Sequence, residues 1–136
     1  MKNILVMDDD PKITAALAIR LEAAGYAVCT AHDGEEGLKL ALSSRPDLIL
    51  MDVWMPDAVG FLVAERLRAL GFADVPLIFL TAGKKEQLWE IAQEVEPAAF
   101  FEKPYQAGPL LKCISKILHD RARTDEASQH QQRSHL

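Results

Sequence analysis

The 136-residue chain lacks several things, and each absence narrows the reading. It has no run of about 18 apolar residues, so no membrane span is expected. No charged and apolar leader precedes the first strand-like segment, so the sequence reads as cytoplasmic. Basic charge is short: 15 Lys and Arg stand against 20 Asp and Glu, a formal net charge of −5. Direct nucleic-acid binding needs a basic face that replaces counterions, and this chain offers none in bulk. Cysteine is scarce. Cys29 and Cys113 are the two present, in apolar segments without metal-ligand spacing, and they read as reduced core thiols.

What is present is an ordinary single-domain length, with apolar content (49%) high enough to fill a core. Apolar runs alternate with amphipathic segments from the start. Strands are expected at about 3–7, 27–31, 48–51, 76–80 and 98–101. The first helix has Asp10 as N-cap and Pro11 in its first turn, an inner stripe of Ile13, Leu17 and Leu21, and Gly25 as its stop. The second spans about 35–43 and ends before Pro46. The third carries Val63, Leu67 and Leu70 up to Gly71. The fourth carries Leu88, Ile91, Ala92 and Val95, and the fifth carries Leu110, Leu111, Ile114 and Leu118. Strand runs without polar alternation are those of a parallel sheet covered on both faces. The expected fold is therefore α/β, a flavodoxin-like (βα)5 three-layer sandwich. Past Asp120 the chain turns polar and aperiodic, which predicts a folded domain over 1–120 and a disordered tail over 121–136.

The chemistry gathers where the strands stop. Ile4-Leu-Val-Met7 stops on Asp8 and Asp9, and Asp47-Leu-Ile-Leu-Met stops on Asp52. Leu77-Ile-Phe-Leu80 stops on Thr81, and Ala98-Ala-Phe-Phe101 stops just before Lys103. If the strands lie parallel, all of these share one cleft at their carboxyl ends, where α/β sheets bind ligands. Three carboxylates there repel one another unless a cation intervenes, and hard oxygen donors favour Mg2+, with Mn2+ a second choice. Mg2+ retains waters and takes phosphate oxygens beside one or two carboxylates, so the set reads as a metal-plus-phosphate site. Lys103 and Thr81 supply a cation and a hydroxyl for a phosphoryl group, and Asp52 is the candidate nucleophile. Each residue alone has a structural alternative. The acids can serve a helix N-terminus, Thr81 can satisfy its own backbone, and Lys103 can be a solvated lysine.

Together with Pro11, Pro56, Gly60, Ala82 and Pro104, these segments resemble the receiver domain of two-component response regulators over about residues 2–119. The resemblance implies a sheet of order 2-1-3-4-5 with Asp52 as phospho-acceptor. It makes Asp9 a direct metal ligand, Asp8 a ligand largely through water, and the Trp54 backbone carbonyl a further ligand. Thr81 and Lys103 become catalytic, and Thr81 with Phe100 forms the switch. Lys103-Pro104 is expected to be cis. Implied partners are a sensor histidine kinase or histidine phosphotransfer protein, and a downstream protein or a second copy docking on the fourth-helix, fifth-strand and fifth-helix face. That face would include Lys84, Lys85, Trp89, Phe100 and Tyr105. No nucleic acid or membrane partner is implied, and no turnover beyond the chain's own phosphorylation and dephosphorylation. Two departures stand out. Phe100 lacks the hydroxyl a tyrosine would bring, and Trp54 with Gly83 would border the path of hydrolytic water, where the indole could shade the phosphoryl group.

Competing readings are a haloacid-dehalogenase-like phosphohydrolase, a flavin-binding module and a receiver that works without phosphate. Asp8-Asp9-Asp10 matches the first literally, but Lys12 stands where Thr or Val belongs. The second needs a Ser/Thr/Gly-rich phosphate loop after strand 1, and the chain has acids there. A phosphorelay shuttle and a fragment of a longer regulator or hybrid kinase read alike from this sequence.

Overall fold

A computed structural model describes residues 1–55, 59–82, 88, 90 and 92–134 of the chain, with side chains up to Arg123. Its strands are β1 (Asn3–Met7), β2 (Ala27–Ala31), β3 (Leu48–Asp52), β4 (Leu77–Thr81) and β5 (Ala99–Glu102). They form one parallel sheet in the order β2-β1-β3-β4-β5. The fold is the flavodoxin-like α/β sandwich expected from the alternation of elements.

Helices α1 (Pro11–Ala23), α2 (Gly34–Ser44) and α3 (Gly60–Leu67) follow the first three strands, and α4 (Ala107–Ser134) closes the chain. Of the fourth helix expected around Leu88–Val95, Leu88, Glu90 and Ala92 are helical, while Trp89 and Ile91 lie outside the described residues. At its end Ala92 and Val95 are buried, and Gln93–Val95 form a 3-10 turn. No helix among the described residues is long and apolar enough to cross a membrane.

Strand periodicity sorts the core into two layers. Leu5, Met7, Ile49, Met51, Leu77 and Phe79 face one side, with α2 and α3. Ile4, Val6, Leu48, Leu50, Ile78 and Leu80 face the other, packed by Leu17 and Leu21 of α1 and by Leu110, Ile114 and Leu118 of α4. The three central strands are buried along almost their whole length, whereas β2 is only partly covered because it has one neighbour.

Helix ends follow local chemistry. The Asp10 carboxylate caps α1 by accepting from the Lys12 N–H at 2.9 Å, and Asp33 caps α2 by accepting from the Glu36 N–H at 2.8 Å. Gly25 and Gly71 sit at φ of 96° and 105° beyond α1 and α3, a conformation glycine adopts without a Cβ penalty.

Three features differ from the sequence reading. Leu70 was expected on the buried stripe of the third helix but is exposed. Beyond Leu67 the chain makes a π turn, Arg68–Phe72, which shifts the helical phase and buries Phe72 instead. The polar segment expected to be disordered is helical through Ser134, and Arg121 reaches back to donate to the Asp47 carbonyl at 2.9 Å. That segment is rich in Gln, Ala and Arg, whose straight or small side chains cost a helix little. The third feature is Arg68, which no motif announced. Its half-buried guanidinium donates to the carbonyls of Phe72 (2.7 Å), Ala73 (3.1 Å) and Val75 (2.6 Å) ahead of β4. It also donates to Val95 (3.1 and 3.2 Å) and Glu96 (3.4 Å) ahead of β5. One side chain thus ties together the amino-end approaches of two neighbouring strands.

Candidate phosphoryl and metal site

Parallel register brings the candidate residues level. Met7 pairs with Met51, so the next residues, Asp8 and Asp52, emerge side by side. Asp52 pairs with Leu80 and Thr81 pairs with Glu102, which places Thr81 and Lys103 at the same sheet end. Asp8 and Thr81 are fully buried and Asp52 nearly so, while Asp9 is exposed. Carboxylate oxygens of Asp8, Asp9 and Asp52 lie within 4.8 Å of one another.

Lys103 answers part of this negative charge. Its ammonium donates to Asp8 Oδ2 at 2.7 Å and to Asp52 Oδ2 at 3.1 Å. The Lys103-Pro104 peptide is cis, as the resemblance implied, and the Lys103 N–H is bound to the Thr81 carbonyl at 2.7 Å. Other backbone groups orient the acids. The Trp54 N–H donates to Asp52 Oδ1 at 3.2 Å, and the Asp10 N–H donates to Asp8 Oδ1 at 3.0 Å. Gly60 keeps the loop after β3 close. Its N–H binds the Val53 carbonyl at 2.6 Å, and a Cβ there would fall 2.6 Å from the Asp52 carbonyl oxygen.

The electrostatics reflect crowding. Burial pushes the Asp52 carboxyl above its ordinary value. The Trp54 N–H and Lys103 oppose that shift, and the charge of Asp8 adds to it. Burial pulls Lys103 down, but its hydrogen bonds and charge interactions with Asp8 and Asp52 outweigh that and leave it raised. Burial, with Asp8 nearby, pushes the Tyr105 hydroxyl up to about 12. Two or three carboxylates facing one ammonium leave net negative charge in the cleft, and a hard divalent cation on their oxygens would relieve it. The donor set fits Mg2+ or Mn2+.

Asp8, Asp9, Asp52, Trp54, Thr81 and Lys103 all lie at this end of the sheet, whereas Phe100 lies deeper in it, paired with Phe79. Trp54 is half exposed (52%) beside Asp52, and its backbone bridges Val59. Phe100 is only 5% exposed, with its ring 5.6 Å from Phe79, so here it takes the inward of the two positions expected of a switch ring. Tyr105 is half-buried against α1. Gly83, Lys84, Lys85 and Trp89 lie outside the described residues. Sequence reasoning missed the Trp54 N–H, because a backbone donor has no side-chain signature, and the coupling of Tyr105 to Asp8, which only the fold creates.

An acid cluster ending parallel strands, with a lysine across it, is the arrangement that the resemblance to receiver domains implied. The family profile of the response regulator receiver domain matches residues 4–115. The chain is 37% identical over 133 residues to the DNA-binding dual master transcriptional regulator RpaA of Synechocystis sp., covering 96% of this chain and 54% of that protein. It is 39% identical over 117 residues to the alkaline phosphatase synthesis transcriptional regulatory protein PhoP of Bacillus subtilis, covering 86% of this chain and 48% of that one. Among solved structures, the chemotaxis response regulator CheY4 of Vibrio cholerae superposes with a TM-score of 0.81 at 30% identity, covering 86% of this chain and 98% of CheY4. The response regulator TrrA of Thermotoga maritima, solved with Mg2+ and BeF, superposes with a TM-score of 0.76 at 32% identity, covering 85% and 98%. The chain belongs to the response regulator receiver domain family of two-component systems. It spans about half the length of the curated relatives it matches.

Proposed function

We propose that the unit at 1–120 accepts a phosphoryl group on Asp52 from a phosphohistidine of a sensor kinase or phosphotransfer protein. The observation that supports this most is the Asp8–Asp9–Asp52 cluster with Lys103 bridging two of its members. An Asp52 carboxylate oxygen forms the new O–P bond as the donor's N–P bond breaks, and the electron pair stays on the imidazole nitrogen. Lys103 pairs with the transferred oxygens and the Thr81 hydroxyl donates to them, both aimed at charge that grows in the transition state. A divalent cation held by Asp8, Asp9, Asp52 and the Trp54 carbonyl would neutralise further phosphoryl charge.

Phosphorylation adds roughly −1.5 to −2 charge and three acceptor oxygens. It draws Thr81 toward the group and alters the packing of Phe100, so the switch biases the surface around the fourth helix, β5 and α4, where a target protein or second copy docks. The named relatives are transcriptional regulators about twice as long, which favours an output carried by additional chain. Immunoblot sizing of the native gene product tests that point. An exposed Trp54 indole that shades the aspartyl phosphate would make Trp54→Asn lose phosphate faster, and an unchanged rate ends that idea.

The main test is incubation with acetyl phosphate and MgCl2, followed by intact mass spectrometry. Wild type should gain one phosphoryl mass and Asp52→Ala none. No gain, or equal gain in both, overturns the proposal.

A further inference from the structure

A groove of about 590 Å³ lies between α1 and the turn from β5 into α4. Its floor is apolar, made by Ile13, Leu17 and Pro104, with the Tyr105 ring beside them. Its charged lining residues are all cationic. Lys12 and Arg20 stand on the exposed side of α1, eight residues apart with Ala16 between them, and Lys103 closes the end next to the carboxylate site. On a chain of net charge −5, a groove with three cations and no carboxylate among its lining residues is a local reversal of sign.

Lys103 is already engaged by Asp8 and Asp52. Lys12 and Arg20 make no ion pair among the described residues, so two cations remain to meet an incoming anion. The Tyr105 hydroxyl stays neutral and adds a donor without adding negative charge. The volume falls within the range of about 300–1,000 Å³ typical of small-molecule sites, where an apolar floor supplies contact and a few polar groups fix orientation.

We propose that this groove binds a small anionic amphiphile, with its apolar body on Ile13, Leu17 and Pro104 and its acidic head between Lys12 and Arg20. Lys103 lines both the groove and the carboxylate cleft, so the bound anion sits next to the phospho-acceptor site without occupying it. The binding does not depend on Asp52 accepting phosphate.

The test uses decanoate below its micellar range as probe, with 15N-labelled full-length protein and amide chemical-shift mapping. Saturable shifts are expected at Ile13, Leu17 and Ala107. Decyltrimethylammonium, of similar body and opposite charge, should leave those amides unmoved. Lys12 and Arg20 are exposed, so the double variant Lys12→Glu, Arg20→Glu should fold and bind decanoate at least about tenfold more weakly. The titration contains no acetyl phosphate and no MgCl2, so its outcome is independent of the fate of the phosphoryl proposal. The inference is overturned if decanoate causes no saturable shift, if both probes act alike, or if charge reversal changes nothing. It is equally overturned, in favour of a protein partner, if an acidic amphipathic peptide moves these amides and decanoate does not.

Discussion

The two ends of the sheet handle a half-buried cation in opposite ways. At the amino end, Arg68 spreads its guanidinium over five neutral carbonyls from two segments; the carboxylates of Glu96 and Asp74 act on it through space, but it makes no ion pair among the described residues. At the carboxyl end, Lys103 faces two buried carboxylates, with a third close by. The first arrangement satisfies donors and acceptors and leaves nothing unmatched. The second leaves negative charge in excess, and that excess is what a metal ion and a phosphoryl group would use. Stability is placed at one end, reactivity at the other, and the parallel sheet separates them by the length of its strands.

The largest expected effect tests the amino end. Arg68→Ala strands carbonyls ahead of β4 and β5 and should cost about 3 kcal/mol or more in urea denaturation. Arg68→Lys should recover only part of this, because an ammonium lacks the planar fork. A loss below about 1 kcal/mol in Arg68→Ala would mean that water replaces the guanidinium and the contrast between the ends is false.

A somewhat smaller effect of opposite sign is expected at the carboxyl end. Asp52→Asn removes a buried charge and should raise stability at pH 7 by about 0.5–2 kcal/mol while abolishing the acetyl-phosphate mass gain. The Asp52 pKa is raised in the fold, so its contribution to stability is present below the unfolded pKa and is lost as pH rises through the folded one. The advantage of Asn should therefore shrink as pH falls toward 4. Thermal melts of both proteins across pH 4–7 read this, and an advantage that grows on acidification contradicts it.

Cation binding sharpens the same contrast. MgCl2 at ten times its Kd should stabilise wild type by about 1.4 kcal/mol through mass action. The shift should shrink in Asp9→Asn, whose side chain is exposed and makes no hydrogen bond among the described residues, and should be unchanged in Arg68→Lys. Equal shifts in wild type and Asp9→Asn would remove Asp9 from the ligand set.

The smallest signal is spectroscopic. Tyr105 is pushed up to about 12 in the fold, so its contribution to stability is present below pH 10 and is lost between about 10 and 12. The difference in ultraviolet absorbance between wild type and Tyr105→Phe on alkaline titration should place its midpoint well above 10. A midpoint at the ordinary tyrosine value would show that α1 does not cover the ring.

Much of this molecule is legible without coordinates because its chemistry is written at strand ends. Apolar runs that stop on Asp8, Asp52 and Thr81 announce both the sheet and the cleft, and Asp10, Gly25 and Gly71 punctuate the helices by local rules. Arg68 is not legible. Its partners are backbone carbonyls up to 28 positions away in the chain, and carbonyls carry no residue identity. Leu70 fails for a related reason, since a single π turn rotates the helical phase that the heptad-like spacing assumes. Phe100 reads from sequence as a switch aromatic with outward and inward rotamers, and only the fold shows the inward one, with its ring 5.6 Å from Phe79.

Residue order alone determined the alternation of elements, the acidic strand ends and the glycine stops, since each depends on neighbours a few positions apart. Only the tertiary structure decided which charges meet. Parallel register set Asp8 beside Asp52 and swung Lys103 onto both, from 95 and 51 residues away. It also folded a basic groove against α1 and closed Arg68 over two loops. Those outcomes depend on distances in space, which the local pattern of side chains does not encode.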